Sequence, residues 1–122
     1  MPYDDQNIFA KILRAEIPCD KIYEDDFVLS FYDINPQKKI HALVIPKGKY
    51  IDLDDFNTNA SDKEIIGLMK GITTVSKKLG ISSIDGKGYR ALANISDYGG
   101  QEVPHLHFHL FGGEKVGKMV SW

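Results

Sequence analysis

The chain has 122 residues and a formal net charge of −2, with one cysteine and 26% charged residues of mixed sign. That length holds one core, so a single domain over residues 1–122 is expected, and the absence of a dense Lys/Arg cluster argues against a nucleic acid polymer as partner. Cys19 alone makes no internal disulfide, the acidic start Met1–Asp5 leads into no apolar signal core, and no apolar run approaches bilayer length. The expected location is therefore cytoplasmic, without membrane contact.

Asn7 precedes Ile8, Phe9, Ile12 and Leu13, which share one side of a helix that should end before Pro18. Lys21–Glu24 and Phe27–Tyr32 are β-prone runs separated by Asp25-Asp26, the pattern of a hairpin. Asn35-Pro36 marks a turn, and Ile40–Ile45 is an almost wholly apolar strand carrying His41 and ended by Pro46. Ser61 and Glu64 have the spacing of a capping box. Ile65, Leu68, Met69, Ile72, Val75 and Leu79 follow at helical period until Gly80. Gly67 and Gly71 inside this helix are expected to permit close approach to the sheet. A turn at Asp85-Gly86 leads to a strand over Tyr89 to Asn94, and a loop from Ile95 to Pro104 returns the chain to a last strand. The order of helix, three strands, helix and two strands predicts an α+β fold with a mostly antiparallel sheet.

That last strand carries His105, His107 and His109 in alternation with Leu106, Phe108 and Leu110, and Gly112-Gly113 closes it. Alternate strand residues point to opposite faces, so the imidazoles should line one surface while the apolar residues hold the register from the other. The pattern admits three chemistries. Two or three of the imidazoles could serve as zinc ligands, with Glu102 or His41 completing the set. They could be tolerated histidines on an exposed surface. Or one imidazole could attack phosphorus while its neighbours bind the phosphate and protonate the leaving group.

The run His105–Phe111 resembles the His-x-His-x-His-x-x signature, with apolar x, of the histidine triad (HIT) family. The likeness continues through Ile8–Ile12, Glu16–Pro18, Glu24–Asp26, Phe31–Gln37, His41–Lys47 and Gly99–Gln101, blocks similar to the HINT branch of purine nucleoside phosphoramidases. The resemblance implies a HIT-like fold with a five-stranded mostly antiparallel sheet and two helices, the sheet continued across a homodimer. It implies a hydrolase of purine nucleoside 5′-monophosphate conjugates, such as AMP linked to an amine or to lysine, acting through a nucleotidyl-histidine intermediate without metal or cofactor. A nucleotide-binding or scaffold protein with incidental hydrolysis is the alternative.

By the same resemblance His107 is the nucleophile, His109 contacts the phosphate and assists the leaving group, and His105 and His41 hold the hydrogen-bond network. Asp33 matches the ribose-binding acid, and Ile8, Phe9, Ile12, Phe31 and Ile34 match the apolar clamp around the base. Asn94, Gly100, Gln101, Glu102 and Val103 match the phosphate side. Taken singly, Ile8, Ile12 and Phe31 also suit a plain core, and Asp33 suits the start of a turn. Two departures stand out. Glu102 replaces a serine of animal members, and the ending Glu114–Trp122 differs from the common family tail. Lys118–Trp122 is expected to shape the leaving-group end of the partner protomer's site.

Overall fold

A computed structural model describes residues 2–119. The opening helix is α1 (Ile8–Leu13), whose N-cap Asn7 accepts the Ala10 amide through its side chain. It stops well before Pro18. Ala15 takes a positive φ of 61°, and the amides of Ala15 and Glu16 close back on the carbonyls of Ile12 and Lys11. Strands β1 (Lys21–Glu24) and β2 (Val28–Tyr32) form the expected hairpin. Asp25 shapes its turn, one carboxylate oxygen accepting the amides of Phe27 and Val28 while the other accepts the Tyr23 hydroxyl. Strand β3 (Ile40–Pro46) follows.

Between β3 and the long helix lies α2 (Leu53–Asn59), a helix that the apolar pattern does not announce. Asp52 caps it by accepting the Asp55 amide at 2.8 Å, and Phe56 is its one buried side chain. Seven residues with so few apolar positions give no readable period, although the cap and the acidic first turn were visible. Helix α3 (Asp62–Lys78) carries the expected capping box between Ser61 and Glu64. With α2 the described chain has three helices where two were expected. Gly71 is buried against β2, where an added Cβ would lie 3.0 Å from a methyl of Val28. This close approach is the one the helical glycines were expected to serve.

Strand β4 (Arg90–Leu92) is shorter than the predicted Tyr89–Asn94, and β5 (Phe108–Gly112) begins three residues later than predicted. The reason for the second difference is specific. The Leu106 amide donates to the Tyr50 carbonyl and the His105 amide to that of Val103, so this stretch is tied to loops rather than to a neighbouring strand. The five strands lie in the order β1-β2-β3-β5-β4 with every pairing antiparallel, so the α+β expectation and the five-stranded sheet hold.

Both faces of the sheet are covered. On one, Val28, Ala42, Val44 and Leu110 meet Leu68, Ile72 and Val75 of α3, with Phe56 of α2 and Leu106 in the same cluster. On the other, Leu29, Phe31, Leu43 and Ile45 pack with Phe9 of α1. Among the described residues no helix is long and apolar enough to cross a membrane.

Candidate active site

The second face continues from apolar residues into histidines. His41 on β3 and His109 on β5 are diagonal neighbours in the ladder, since His109 pairs with Leu43 and His41 with Phe111. Their rings meet through a 2.9 Å contact between His41 Nε2 and His109 Nδ1. Phe111, two residues beyond His109 on the same face, stacks parallel to its ring at 5.8 Å and approaches His41 at 4.3 Å. Asp33 follows β2 and ties itself to β3 by donating its amide to the His41 carbonyl. One of its carboxylate oxygens caps the turn by accepting the Asn35 amide, and the other lies 3.5 Å from His41 Nε2.

His105 and His107 precede the ladder and lie deeper. His105 is fully buried, its Nε2 2.9 Å from the Pro46 carbonyl oxygen and its Nδ1 2.6 Å from the Tyr3 hydroxyl. His107 is 6% exposed, packs edge-on against Phe9 at 4.9 Å, and sets its Nδ1 2.7 Å from the carbonyl oxygen of His105. The apolar alternation holds on the opposite side, where Leu106 and Leu110 are buried and Phe108 packs against the same cluster.

A carbonyl can only accept, and this fixes where the protons sit. His105 carries its proton on Nε2, facing Pro46, and receives the Tyr3 hydroxyl at Nδ1. His107 carries its proton on Nδ1, facing the His105 carbonyl, which leaves Nε2 with a free lone pair. The Gln37 amide donates to His41 Nδ1, so His41 is protonated on Nε2 and donates to His109 Nδ1; His109 then keeps its proton on Nε2. The four rings form two ordered chains, one ending in a lone pair and the other in a donor.

Electrostatics hold these rings neutral near pH 7. Burial pushes His105 down to about 4, against the help of the Pro46 carbonyl, with nearby His107 adding to the depression. His109 is likewise pushed to about 4, by burial first and then by His107 and His41. Burial also lowers His107 and His41; Asp33 pulls both the other way, and Glu102 adds to that pull on His107.

An open cleft of about 480 Å³ lies over this face, within the range of small-molecule sites. Of the residues singled out from the sequence, it gathers Phe9, Asp33, His41, Asn94, Gly100, Glu102, Val103, His107 and His109. It adds Asn35, Gln37, Leu43, Leu92 and Phe111. Leu43 and Phe111 were within reach of sequence reasoning, because each stands two residues from a site histidine on the same strand face. Asn35 and Gln37 arrive through the turn after Asp33, whose shape the sequence does not specify.

Other candidates fall elsewhere. Ile8 is 41% exposed on α1 and Ile34 is 86% exposed, while Phe31 is buried edge-on to Phe9 in the core. Ile12 is half-buried and lines a separate hollow with Cys19 and Leu29. The Gln101 side chain serves the loop around the cleft, donating to the Ile51 and Val103 carbonyls and accepting the Ser96 amide. Gly100 turns that loop with a φ of 76°. Trp122 and the last part of the expected tail lie outside the described residues.

The candidate metal set changes. Both ring nitrogens of His105 are engaged, so the alternating triplet does not converge as ligands. The ligand atoms that do converge belong to Asp33, His41 and His109, all within 4.8 Å of one another. A proton already joins His41 Nε2 to His109 Nδ1 at hydrogen-bond distance, and an ion held through either of those nitrogens would break that bond.

The sheet and the cleft define a small α+β protein with a site built from histidines on one face. The chain belongs to the HIT domain family, whose sequence profile matches residues 14–116. It is 48% identical over 119 residues to a 13.2 kDa HIT-like protein of Azospirillum brasilense, covering 98% of this chain and 95% of that one. It is 40% identical over 117 residues to the purine nucleoside phosphoramidase of Escherichia coli K12, covering 96% and 95%. The fold resembles a HIT family hydrolase from Clostridium thermocellum with a TM-score of 0.85 at 36% identity, covering 96% and 99% of the two chains.

Proposed function

We propose that this HIT family protein hydrolyses phosphoramidates of purine nucleoside 5′-monophosphates through a covalent nucleotidyl-His107 intermediate. The observation that carries the reading is the 2.7 Å bond from His107 Nδ1 to the His105 carbonyl, which reserves Nε2 as a neutral nucleophile beside the cleft. The 40% identity to a named phosphoramidase supports the same chemistry.

In the first step the phosphoramidate is protonated on its bridging nitrogen, and His107 Nε2 forms a bond to phosphorus as the P–N bond breaks. The neutral amine departs while the Nε2–H of His109 donates to the phosphate and assists the leaving group. The cationic ring that forms on His107 keeps its Nδ1–H on the His105 carbonyl, which stabilises the charge. In the second step water attacks phosphorus, one of its protons stays on the product phosphate and the other leaves to solvent. The N–P bond breaks to release the nucleoside monophosphate and neutral His107, with the His109 Nε2–H still donating to the phosphate. His41 holds His109 in the tautomer that both steps need. Asp33 accepts the ribose hydroxyls, Phe9 supplies an apolar wall for the base, and Asn94, Gly100, Glu102 and Val103 frame the phosphate side on the loop that Gln101 braces. No step needs a metal or cofactor. A single domain working as a cytoplasmic homodimer, its sheet continued through β4, fits this reading.

Turnover of a fluorogenic adenosine phosphoramidate tests the proposal. Acid-free quenching during turnover should trap a nucleotidyl adduct on His107; an adduct on His105 or His109 overturns the assignment. Tight AMP binding without any turnover would favour the binding-protein alternative.

A further inference from the structure

We propose that Tyr3 is a positioning residue for the histidine site, its hydroxyl locking the ring of His105 and thereby the main-chain carbonyl that orients His107. The inference rests on the function proposed above and adds a residue that the motif does not contain.

The stretch from His105 to His107 has no place in the β5 ladder. Its backbone is held by the His105 amide on Val103 and the Leu106 amide on Tyr50. The remaining anchor is the His105 ring itself, clamped between the Pro46 carbonyl at 2.9 Å and the Tyr3 hydroxyl at 2.6 Å. Because Pro46 takes the Nε2 proton, Nδ1 is a buried acceptor that needs a donor, and a residue 102 positions earlier supplies it. The two rings also meet edge-on at 5.7 Å.

Tyr3 is not a loose end. The carbonyl of the next residue, Asp4, accepts both the amide and the side-chain amide of Asn7, and the Asp5 carbonyl accepts Arg14. Lys49 pairs with the Asp5 carboxylate at 2.9 Å. The segment is thus fastened to the α1 N-terminus and to the loop after β3, and it presents the phenol to His105 from a fixed frame.

Removing the donor leaves three outcomes, and each disturbs His107. A bare Nδ1 is an unsatisfied buried acceptor. A protonated Nδ1 places a cation next to His107, opposed by burial. A ring that turns away to find water drags the backbone whose carbonyl orients the nucleophile. The charged and titratable groups that face this pair are His107 itself and, beside Tyr3, Asp5, Lys49 and Arg14.

Tyr3→Phe keeps the ring and deletes the donor, whereas 3-fluorotyrosine at position 3 keeps both. In nitrogen-15 spectra of the substrate-free protein, wild type and the fluorinated protein should show His107 protonated on Nδ1 alone, and Tyr3→Phe should show a mixture of its two tautomers. With an adenosine phosphoramidate, kcat of Tyr3→Phe should fall about tenfold while KM and AMP affinity stay within about twofold, the pattern of lost transition-state rather than ground-state binding. The fluorinated protein should retain wild-type kcat. A folded Tyr3→Phe protein whose His107 signals are unchanged, or whose kcat equals wild type, overturns the proposal. If wild type hydrolyses no phosphoramidate, the function proposed above fails, and the spectra still decide the role of Tyr3.

Discussion

Toward α3 the sheet presents Val28, Ala42, Val44 and Leu110; toward α1 the alternate residues of β2, β3 and β5 give Leu29, His41, Leu43 and His109. The first face is closed by shape and apolar contact, with Ser30 as a polar exception whose hydroxyl donates to the Leu43 carbonyl. The second buries its apolar residues as deeply but also contains imidazoles beneath an open cleft, and it tolerates them because each buried ring nitrogen has an assigned partner or faces that cleft. The difference shows how one five-stranded sheet separates two demands. One face stabilises by burial alone, and the other tolerates polar atoms because their hydrogen bonds offset the loss of water.

Substitutions on the two faces should therefore fail in different ways. The largest effect is expected from His107→Ala, which should reduce phosphoramidate turnover by a factor on the order of 10⁴ or more in a protein that still folds, with a lowered thermal midpoint because the ring is buried against Phe9. Steady-state rates together with a melting curve would check both halves. On the opposite face, Leu68→Ala should destabilise by about 2–5 kcal/mol in denaturant titration, with kcat per folded molecule unchanged. A drop in kcat there would show that the faces are coupled.

Acid should act first through the histidine face, and the depressed carboxyls of Glu24, Asp25 and Glu64 add to the loss only at lower pH. The unfolded chain takes up a proton on each histidine near its ordinary value, whereas the folded site refuses it until lower pH, so stability falls as pH drops through that interval and levels below it. His105, displaced from 6.5 to about 4, accounts for about 3 kcal/mol of this loss. Denaturant midpoints between pH 7 and 4 should follow the slope, and His105→Asn should flatten it. The smallest effect is local. Asp33→Asn should weaken a ribonucleotide by about 1.5–3 kcal/mol relative to its 2′,3′-dideoxy counterpart, measured by calorimetry. Equal losses for both ligands would leave Asp33 only its turn-capping role.

The apolar face was the more legible of the two. The period of α3, its capping box and its glycines could be read directly, because they reflect local propensity and a single repeating contact. Helix α2 was missed because two apolar residues in seven define no period. On the other face the alternation of His105, His107 and His109 announced a chemical surface, yet the partners that assign their protons are main-chain oxygens of Pro46 and His105 and the amide of Gln37. Backbone groups occur at every position and leave no mark in the amino-acid string. The same limit explains the late start of β5, since the carbonyl of Tyr50 that captures Leu106 is indistinguishable in sequence from any other.

The proton of His107 rests on a peptide oxygen rather than on a carboxylate side chain. A carboxylate in that role could be erased by a single nucleotide change in the gene, but every residue that could occupy position 105 brings the same oxygen with it. Mutation can reach this bond only by displacing the backbone. The arrangement therefore buffers the proposed nucleophile against genetic drift, and it concentrates the vulnerable positions among those that hold the backbone in place.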